Sequence, residues 1–529
     1  MNRCFPLWII GAVLLLSAGL PERAAARMVT LTVLATTDMH GSIRATPGRY
    51  LEHNDGSLLQ IATLVRRIRA ETPNVLLVDC GDIFQGTAES LLSGGEVMAR
   101  AMNDLDYTAF AVGNHEFDWG VPEAGRLLSL LQATPLAANL LRGPEAPAAF
   151  QRIQPYVLRE VDGLRVAILG LTNPNLNHWF RDMAPLGLRA CDSRSAIERV
   201  LPELRRLRPQ IQILLVHQGL QSKDDDANEI NAIARRFSEF DLILGGHLHW
   251  TLAGGRIGQA DYAQAGSGAR GLLRVDLDYD TLTGAITGKR FAFIPVTPDL
   301  PEDPEILADI APLLARADRE MNHTIGRTET DLTASTAIPG DSPVQQLFGR
   351  AISEATGASV VLHGILSDAK ILRGPVRIAD VWRLVPYENG IGCAQLTIAE
   401  IRAILEENTA FLGTARAFSA WGLRYDLHPN APPGSRIQNL RWPDGSPIHG
   451  RQRIRTAFNS YHLSSGGGRF PVLTSLTSRP RAQLQMEEKG MREIVIDYIQ
   501  AHPILNIPAG TDITVIRQER PKGLHRLRP

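Results

Sequence analysis

Residues 29–41 read VTLTVLATTDMHG: an apolar, β-branched run from Val29 to Ala35, then Asp38 and His40 two residues apart. Such a run is what a strand buried on both faces requires. In extended chain, residues two apart point to one side, so Asp38 and His40 can face one metal ion. The arrangement recurs through the first half of the chain. Gly81-Asp82 follows Val75–Val78, and Gly113-Asn114-His115-Glu116 follows Ala109–Val112. His217 follows Ile211–Val216, and Gly245-Gly246-His247-Leu248-His249 follows Leu242–Leu244. A further apolar run covers Val166–Leu171. Segments between the runs, such as Leu58–Ala70 and Ala196–Leu207, carry apolar residues three and four apart with arginines outside, as amphipathic helices do. Strand–helix alternation predicts an α/β domain over residues 28–300 with its ligands beyond the carboxyl ends of strands.

At 529 residues the chain exceeds one ordinary core, so at least two domains are expected. Pro295, Pro298, Pro301 and Pro304 interrupt the pattern, and Glu305–Met321 then reads as a helix, which gives a linker over 301–324. Residues 325–516 read as a second, α+β domain. Helical stretches lie at Ser342–Thr356 and Ile398–Asn408, and turns such as Pro432-Pro433-Gly434 and Pro443-Asp444-Gly445 separate short strands. No internal repeat is present, and the basic tail 517–529 reads as disordered.

Charged residues make up 21% and hydrophobic ones 44%, with a formal net charge of −1. Nothing in that balance steers the chain to nucleic acid or to an anionic membrane. Arg3, the apolar run Leu7–Leu20 and Ala24-Ala25-Ala26 form a signal-peptide pattern over residues 1–26. The run is short for a spanning helix, which needs about 20 residues. A periplasmic or secreted protein is expected, without stable membrane insertion after cleavage. Cys80, Cys191 and Cys393 would remain, an odd number that leaves at least one free thiol. Cys80 reads as a small buried residue beneath the site.

The donors suit a two-metal hydrolytic site. His247 and His249 repeat the spacing of Asp38 and His40. Asp82 has two oxygens with which to bridge ions, Asn114 offers a neutral carbonyl, and His217 a further imidazole. Each block alone is explained by a turn-capping Asp or a structural His; five blocks at five strand ends in one domain are not. Mixed imidazole, carboxylate and amide ligation suits Mn, Zn, Co or Fe better than Mg or Ca alone. Asn114 and His115 point to opposite sides if the chain is extended, which gives Asn114 to metal and His115 to substrate. Asp118, three residues on, is within reach of His115 and could fix its tautomer; a helix N-cap before Val121-Pro122 is the competing role. Glu116 reads as structural.

These blocks resemble the calcineurin-like metallophosphoesterases. The longer forms Thr37-Asp38-Met39-His40-Gly41, Gly81-Asp82-Ile83-Phe84-Gln85-Gly86-Thr87 and Gly113-Asn114-His115-Glu116-Phe117-Asp118 are similar to the exported 5′-nucleotidase branch. The resemblance covers nearly the whole mature chain. It implies a β-sandwich flanked by helices, a linker helix, and a C-terminal α+β domain that binds the nucleoside part. It further implies Asp38, His40, Asp82 and His249 on one divalent ion and Asp82, Asn114, His217 and His247 on the other. A His115–Asp118 dyad would meet the phosphoryl group of a small-molecule phosphate ester, with no protein partner evident.

The C-terminal half departs from the branch. Its Gly-Gly-x-Arg segment corresponds here to His363-Gly364-Ile365-Leu366, and Leu366 cannot replace a guanidinium; Lys370 or Arg373 is the nearest substitute. Its Gly-Gly-Asp-Gly-Phe segment corresponds to Gly466-Gly467-Gly468-Arg469-Phe470, which has no acid. Tyr461 occupies one wall of the family's base clamp, and Phe418 or Trp421 the other, with ordinary packing as the alternative for Phe418 and Trp421. Asp224-Asp225-Asp226 reads as a solvated loop, and His53, His178, His323, His428 and His462 as surface or core residues. Three functions follow: a 5′-nucleotidase-like phosphohydrolase, a 2′,3′-cyclic-nucleotide phosphodiesterase or sulfur-ester hydrolase of the same fold, or a catalytically silent binding protein.

Overall fold

The computed structural model describes residues 27–45, 56–180, 182–335, 340–386, 389–414, 416–465, 468–510 and 513–516. The expected signal peptide, His53, Gly466-Gly467 and the basic tail lie outside them. All six apolar runs of the first half are strands, and they divide between two six-stranded sheets. The first sheet runs Ala285–Pro295, Gly271–Asp280, Met28–Thr36, Val75–Asp79, Ala109–Ala111, Thr134–Leu136. The second runs Thr251–Ile257, Ala260–Ala265, Leu242–Gly245, Ile211–Val216, Leu164–Leu171, Tyr156–Val161.

The sheets pack face to face. Alternate residues such as Leu31, Val33 and Ala35 meet Ile168, Ile213, Leu215 and Leu244 in one core, because period-two alternation sends them to one face. Residues of the opposite register, such as Leu34 and Leu77, turn outward under helices Leu58–Glu71, Glu96–Asp104 and Val121–Leu130. Leu169, Leu214 and Ile243 lie likewise under Ser193–Leu207 and Ile230–Arg236. The result is helix, sheet, sheet, helix, which explains why these strands are apolar on both faces. Met28–Thr36, Val75–Asp79 and Ala109–Ala111 are mutually parallel, as are Ile211–Val216 and Leu242–Gly245. Their carboxyl ends therefore share an edge within each sheet.

The linker helix runs Pro304–Met321, with Asp303 Oδ1 accepting from the amides of Glu305 and Ile306 at 3.1 and 3.0 Å. It does not stand free between domains. Ile306, Ile310 and Leu314 are buried in the core of the first domain, and Arg44 and Arg66 hold it by ion pairs to Asp318 and Asp303.

Beyond it, a five-stranded mixed sheet runs Phe418–Trp421, Val360–Gly364, Arg453–Asn459, Gly390–Thr397, Gln485–Gly490. Helices Pro343–Thr356 and Met491–Ala501 cover one face, Ile398–Asn408 and Pro471–Thr477 the other. Ser342 and Thr397 cap the first residues of Pro343–Thr356 and Ile398–Asn408, as hydroxyl N-caps do. The acidic loop is not merely solvated: Asp224 caps Ile230–Arg236 by accepting from the amides of Asn231 and Ala232 at 3.1 and 2.7 Å. No helix among the described residues is long and apolar enough to cross a membrane.

Candidate metal centre

The five ligand blocks meet where the two sheets' strand ends converge, but not in extended chain. Asp38, His40, Asp82, His247 and His249 have φ between 48° and 71°, the left-handed region that non-glycine residues rarely enter. The expectation of an extended Asp38–His40 pair is corrected here: the Asp38, Asp82 and His247 blocks turn sharply, and hydrogen bonds between them hold the turns. The amide of Asp38 donates to Gly81 O at 2.9 Å and that of His40 to Asp82 O at 2.9 Å. The amide of His247 donates to both oxygens of Asp38 at 3.0 Å. Asn114 is likewise helical (φ −82°, ψ −34°) and opens a short 3₁₀ turn His115–Phe117. That turn, rather than strand alternation, separates its side chain from that of His115.

The turns bring the donors together in two groups. Ligand atoms of Asp38, His40 and His249 lie within 4.8 Å of one another, as do those of Asp82, His217 and His247. His40 Nε2 is 3.1 Å from His249 Nε2, and His249 Nε2 is 3.6 Å from Asp38 Oδ1. Asp82 Oδ2 is 3.0 Å from His217 Nε2 and 4.0 Å from His40 Nε2, so it stands between the groups. Asn114 Oδ1 is 3.1 Å from His217 Nε2 and 3.0 Å from His247 Nδ1.

Buried groups outside the ligand set orient it. The Nδ1–H of His217 donates to Cys80 O at 2.7 Å and that of His40 to Gln85 O at 3.0 Å. Each imidazole then turns its Nε2 inward. Cys80 itself is buried, its thiol donating to Leu244 O. Glu116 is fully buried, and its Oε2 accepts from the amides of Asp82 and Gly113 at 3.0 and 2.7 Å, its Oε1 from that of Ile83 at 2.7 Å. It fastens two ligand loops to each other. A Cβ on Gly113 would lie 2.2 Å from Asp82 Oδ1, and one on Gly246 2.4 Å from Thr37 Oγ1, so glycine is required where the loops touch. Sequence reasoning passed over Gln85 and the Cys80 carbonyl because a main-chain acceptor leaves no trace in side-chain type.

Cations fit this donor set. Burial, and then His249, hold the His40 imidazole well below its usual range, so its inward nitrogen carries a lone pair against another ring nitrogen 3.1 Å away. Burial and His217 likewise push His247 down to about 3. Burial opposes the charge on Asp82, yet His217 and His115 more than offset it and hold the carboxyl well below the usual range. Lone pairs and carboxylates facing one another in a closed space are stabilised by positive charge between them.

His115 stands apart. Its Nδ1–H donates to Asp118 Oδ2 at 2.7 Å, its Nε2 is 4.0 Å from Asp82 Oδ2, and about a third of its side chain is exposed. Burial works against its charge, but Asp118 and Asp82 outweigh that and push it up to about 10. Asp118 does not cap the next helix, which begins at Val121 behind Gly120. A cleft of about 540 Å³ opens at Asp118 and Trp119, its far wall formed by Trp382 and Arg492 of the second domain.

The C-terminal expectations fare differently. Phe418 is fully buried between His462 and Phe470, at centroid distances of 5.0 and 5.7 Å. It presents no face to a ligand, because its strand turns that side chain into the core. Trp421 lies against the helix at Gly349. Tyr461 is 41% exposed, and its hydroxyl accepts from Arg469 Nη1 at 2.8 Å. Lys370 is exposed, and the exposed Arg373 lies 3.8 Å from Glu329. His462 is a core residue, His178 and His323 are exposed, and His428 is half-buried.

Residues 31–251 match the family model described as calcineurin-like phosphoesterase, and residues 324–475 that described as 5′-nucleotidase, C-terminal domain. A 5′-nucleotidase of Mus musculus is 30% identical over 365 residues, 63% of this chain and 60% of that protein. The match thus spans about three-fifths of the mouse protein's length. A probable 5′-nucleotidase of Treponema pallidum is 25% identical over 575 residues, covering 92% of this chain and 94% of that protein. A solved structure of a putative 5′-nucleotidase from Staphylococcus aureus superposes with a TM-score of 0.78 at 20% identity, covering 93% of this chain and 100% of the other. At 93% of this chain, that superposition takes in both the paired sheets and the mixed C-terminal sheet. The chain belongs to the calcineurin-like phosphoesterases that carry a 5′-nucleotidase C-terminal domain.

Proposed function

We propose that the protein is a dinuclear-metal phosphohydrolase that cleaves nucleotide phosphate esters. The observation that carries this reading is the position of Asp82 Oδ2, 3.0 Å from an imidazole of one donor group and 4.0 Å from one of the other. Asp38, His40, Asp82 and His249 would hold one ion; Asp82, Asn114, His217 and His247 would hold the second. Divalent ions there would supply Lewis-acid polarisation of a phosphoryl oxygen and lower the pKa of attacking water.

The chain's own residues do the rest. The Cys80 and Gln85 carbonyls fix which nitrogen of His217 and His40 faces inward. Glu116 holds the Asp82 and Asn114 loops at one spacing. Asp118 keeps a proton on His115 Nδ1, which leaves Nε2 as the atom that meets the substrate. A protonated His115 donates from Nε2 to a phosphoryl oxygen or to the departing oxygen. About a third exposed and close to Asp82, it is reachable by substrate and near the reacting atoms. The N-terminal pattern supports export to the periplasm or beyond. The departures at Leu366 and Gly468, together with the burial of Phe418, leave the leaving group less specified than the phosphoryl end.

The test is a substrate panel on protein reconstituted separately with Mn, Zn and Co. It comprises 5′- and 3′-nucleotides, 2′,3′-cyclic nucleotides, nucleotide sugars and aryl phosphates. Turnover of 5′-nucleotides with two ions bound per chain is expected. Tight metal binding without turnover of any ester would overturn the reading in favour of a binding protein. Activity confined to the cyclic substrates would reassign it as a phosphodiesterase.

A further inference from the structure

A fully buried carboxyl ends the strand that leads to Asp82 and belongs to neither donor group. It is that of Asp79, the last residue of Val75–Asp79. Its Oδ1 accepts from the amide of Gly81 at 2.7 Å, which closes a tight turn around Cys80. Gly81 has φ +96°, and a Cβ there would lie 2.7 Å from Gly113 N, so only glycine fits where this turn meets the Asn114 loop. Both carbonyls of the turn hold ligands in place. Cys80 O accepts from His217 Nδ1 at 2.7 Å, and Gly81 O from the amide of Asp38 at 2.9 Å. Asp82 follows directly, so three ligands take their positions from one turn. The second oxygen of Asp79 is secured as well. Thr36 Oγ1 donates to Asp79 Oδ2 at 2.6 Å and lies 3.0 Å from the Tyr107 hydroxyl. Thr36 and Tyr107 are themselves buried. Burial pushes the Asp79 carboxyl well above its usual range, against the hydrogen bonds from Thr36 and Gly81. The contacts serve either protonation state, because a hydroxyl both donates and accepts.

We propose that Tyr107, Thr36 and Asp79 form a buried brace that fixes the Cys80–Asp82 turn and thereby aims His217, Asp38 and Asp82 at divalent cations. The inference rests on the dinuclear-metal reading above. All three are positioning residues: they act through the turn and not on the reacting atoms. Partners that orient metal ligands, without binding the metal, typically govern its affinity by about 10–100-fold. A hydroxyl removed from this brace should therefore be felt at the cations, although no atom of it is a ligand.

The experiment strips the full mature chain with chelator, then titrates it with Mn²⁺ and reads equilibrium binding. A parallel sample loaded with Co²⁺ gives a visible absorption spectrum that reports ligand geometry. The melting temperature of each chelated variant is measured alongside. Thr36→Val keeps the side chain's shape and deletes its hydroxyl. It should weaken Mn²⁺ binding about 10–100-fold and alter the Co²⁺ spectrum. Thr36→Ser should restore both. Tyr107→Phe should cause a smaller loss in the same direction, and Asp79→Ala the largest. If Asp79→Ala does not fold, Thr36→Val and Tyr107→Phe carry the comparison. A merely structural contact would lower the chelated melting temperature and leave both metal readouts of the folded protein at wild-type values. That outcome for Thr36→Val overturns the brace and leaves the metal centre standing, as does failure of Thr36→Ser to restore what Thr36→Val loses. A wild type that binds no Mn²⁺ overturns the metal-centre reading and the brace together.

Discussion

Asn114, His115 and Glu116 are consecutive, yet each answers to a different part of the centre. Asn114 Oδ1 faces two imidazoles, His115 faces outward on Asp118, and Glu116 accepts three buried amides. Their variants should therefore fail in different ways. His115→Ala removes the proton donor and should lower kcat about 10²–10⁴-fold with two ions still bound by elemental analysis. Equal loss of metal would place His115 among the ligands. Glu116→Ala leaves three N–H groups buried without an acceptor, at about 1–3 kcal/mol each. It should lower the melting temperature and weaken metal binding, because the Asp82 loop loses its anchor. A Glu116→Ala protein with unaltered metal affinity would show that the loops hold their spacing unaided.

At the scale of elements, the linker helix carries more of the first domain than its place in the chain suggests. Ile306, Ile310 and Leu314 fill the core between the helix and the outer face of the first sheet. Ile310→Ala should destabilise that domain by about 2–5 kcal/mol, read as a lower first transition in calorimetry. For the same reason, a fragment ending at residue 300 should aggregate, whereas one ending at residue 322 should stay monomeric by gel filtration. Equal behaviour of the two fragments would mean that the helix merely rests on the surface. Sequence places this helix within one residue at its start but reads it as a linker, because an amphipathic stripe does not say which of two cores it enters. The strands and the ligand blocks were legible because apolar runs and donor residues are both written in side-chain type. The left-handed turns were not, since five non-glycine residues adopt them only under restraint from neighbouring loops. Phe418 shows the same limit in the second domain: an aromatic residue at a ligand position and one in a core have the same composition, and only the strand's register decides.

Over the whole molecule, acid should weaken the second domain through two buried imidazoles that lie outside the metal centre. His363 on the strand Val360–Gly364 and His462 on the helix Ser460–Leu463 are both buried, 2% and 4% exposed. Burial pushes His363 down to about 4; burial and then His363 push His462 down to about 3. Both native imidazoles are neutral at pH 7, where the unfolded chain, with its ordinary value near 6.5, is mostly neutral too. Their contribution is therefore fully present above about pH 6.5 and is lost as pH falls toward 4 and 3, because only the unfolded chain takes up the protons. At pH 5 the loss is on the order of 2 kcal/mol for each imidazole. Melted in chelator, so that ligand protonation does not intrude, the second domain's transition should fall by about 10 °C between pH 7.5 and 5. His363→Gln should remove roughly half of that fall. If wild type and His363→Gln show the same pH slope, the imidazole is already charged in the native state and must face a counter-charge.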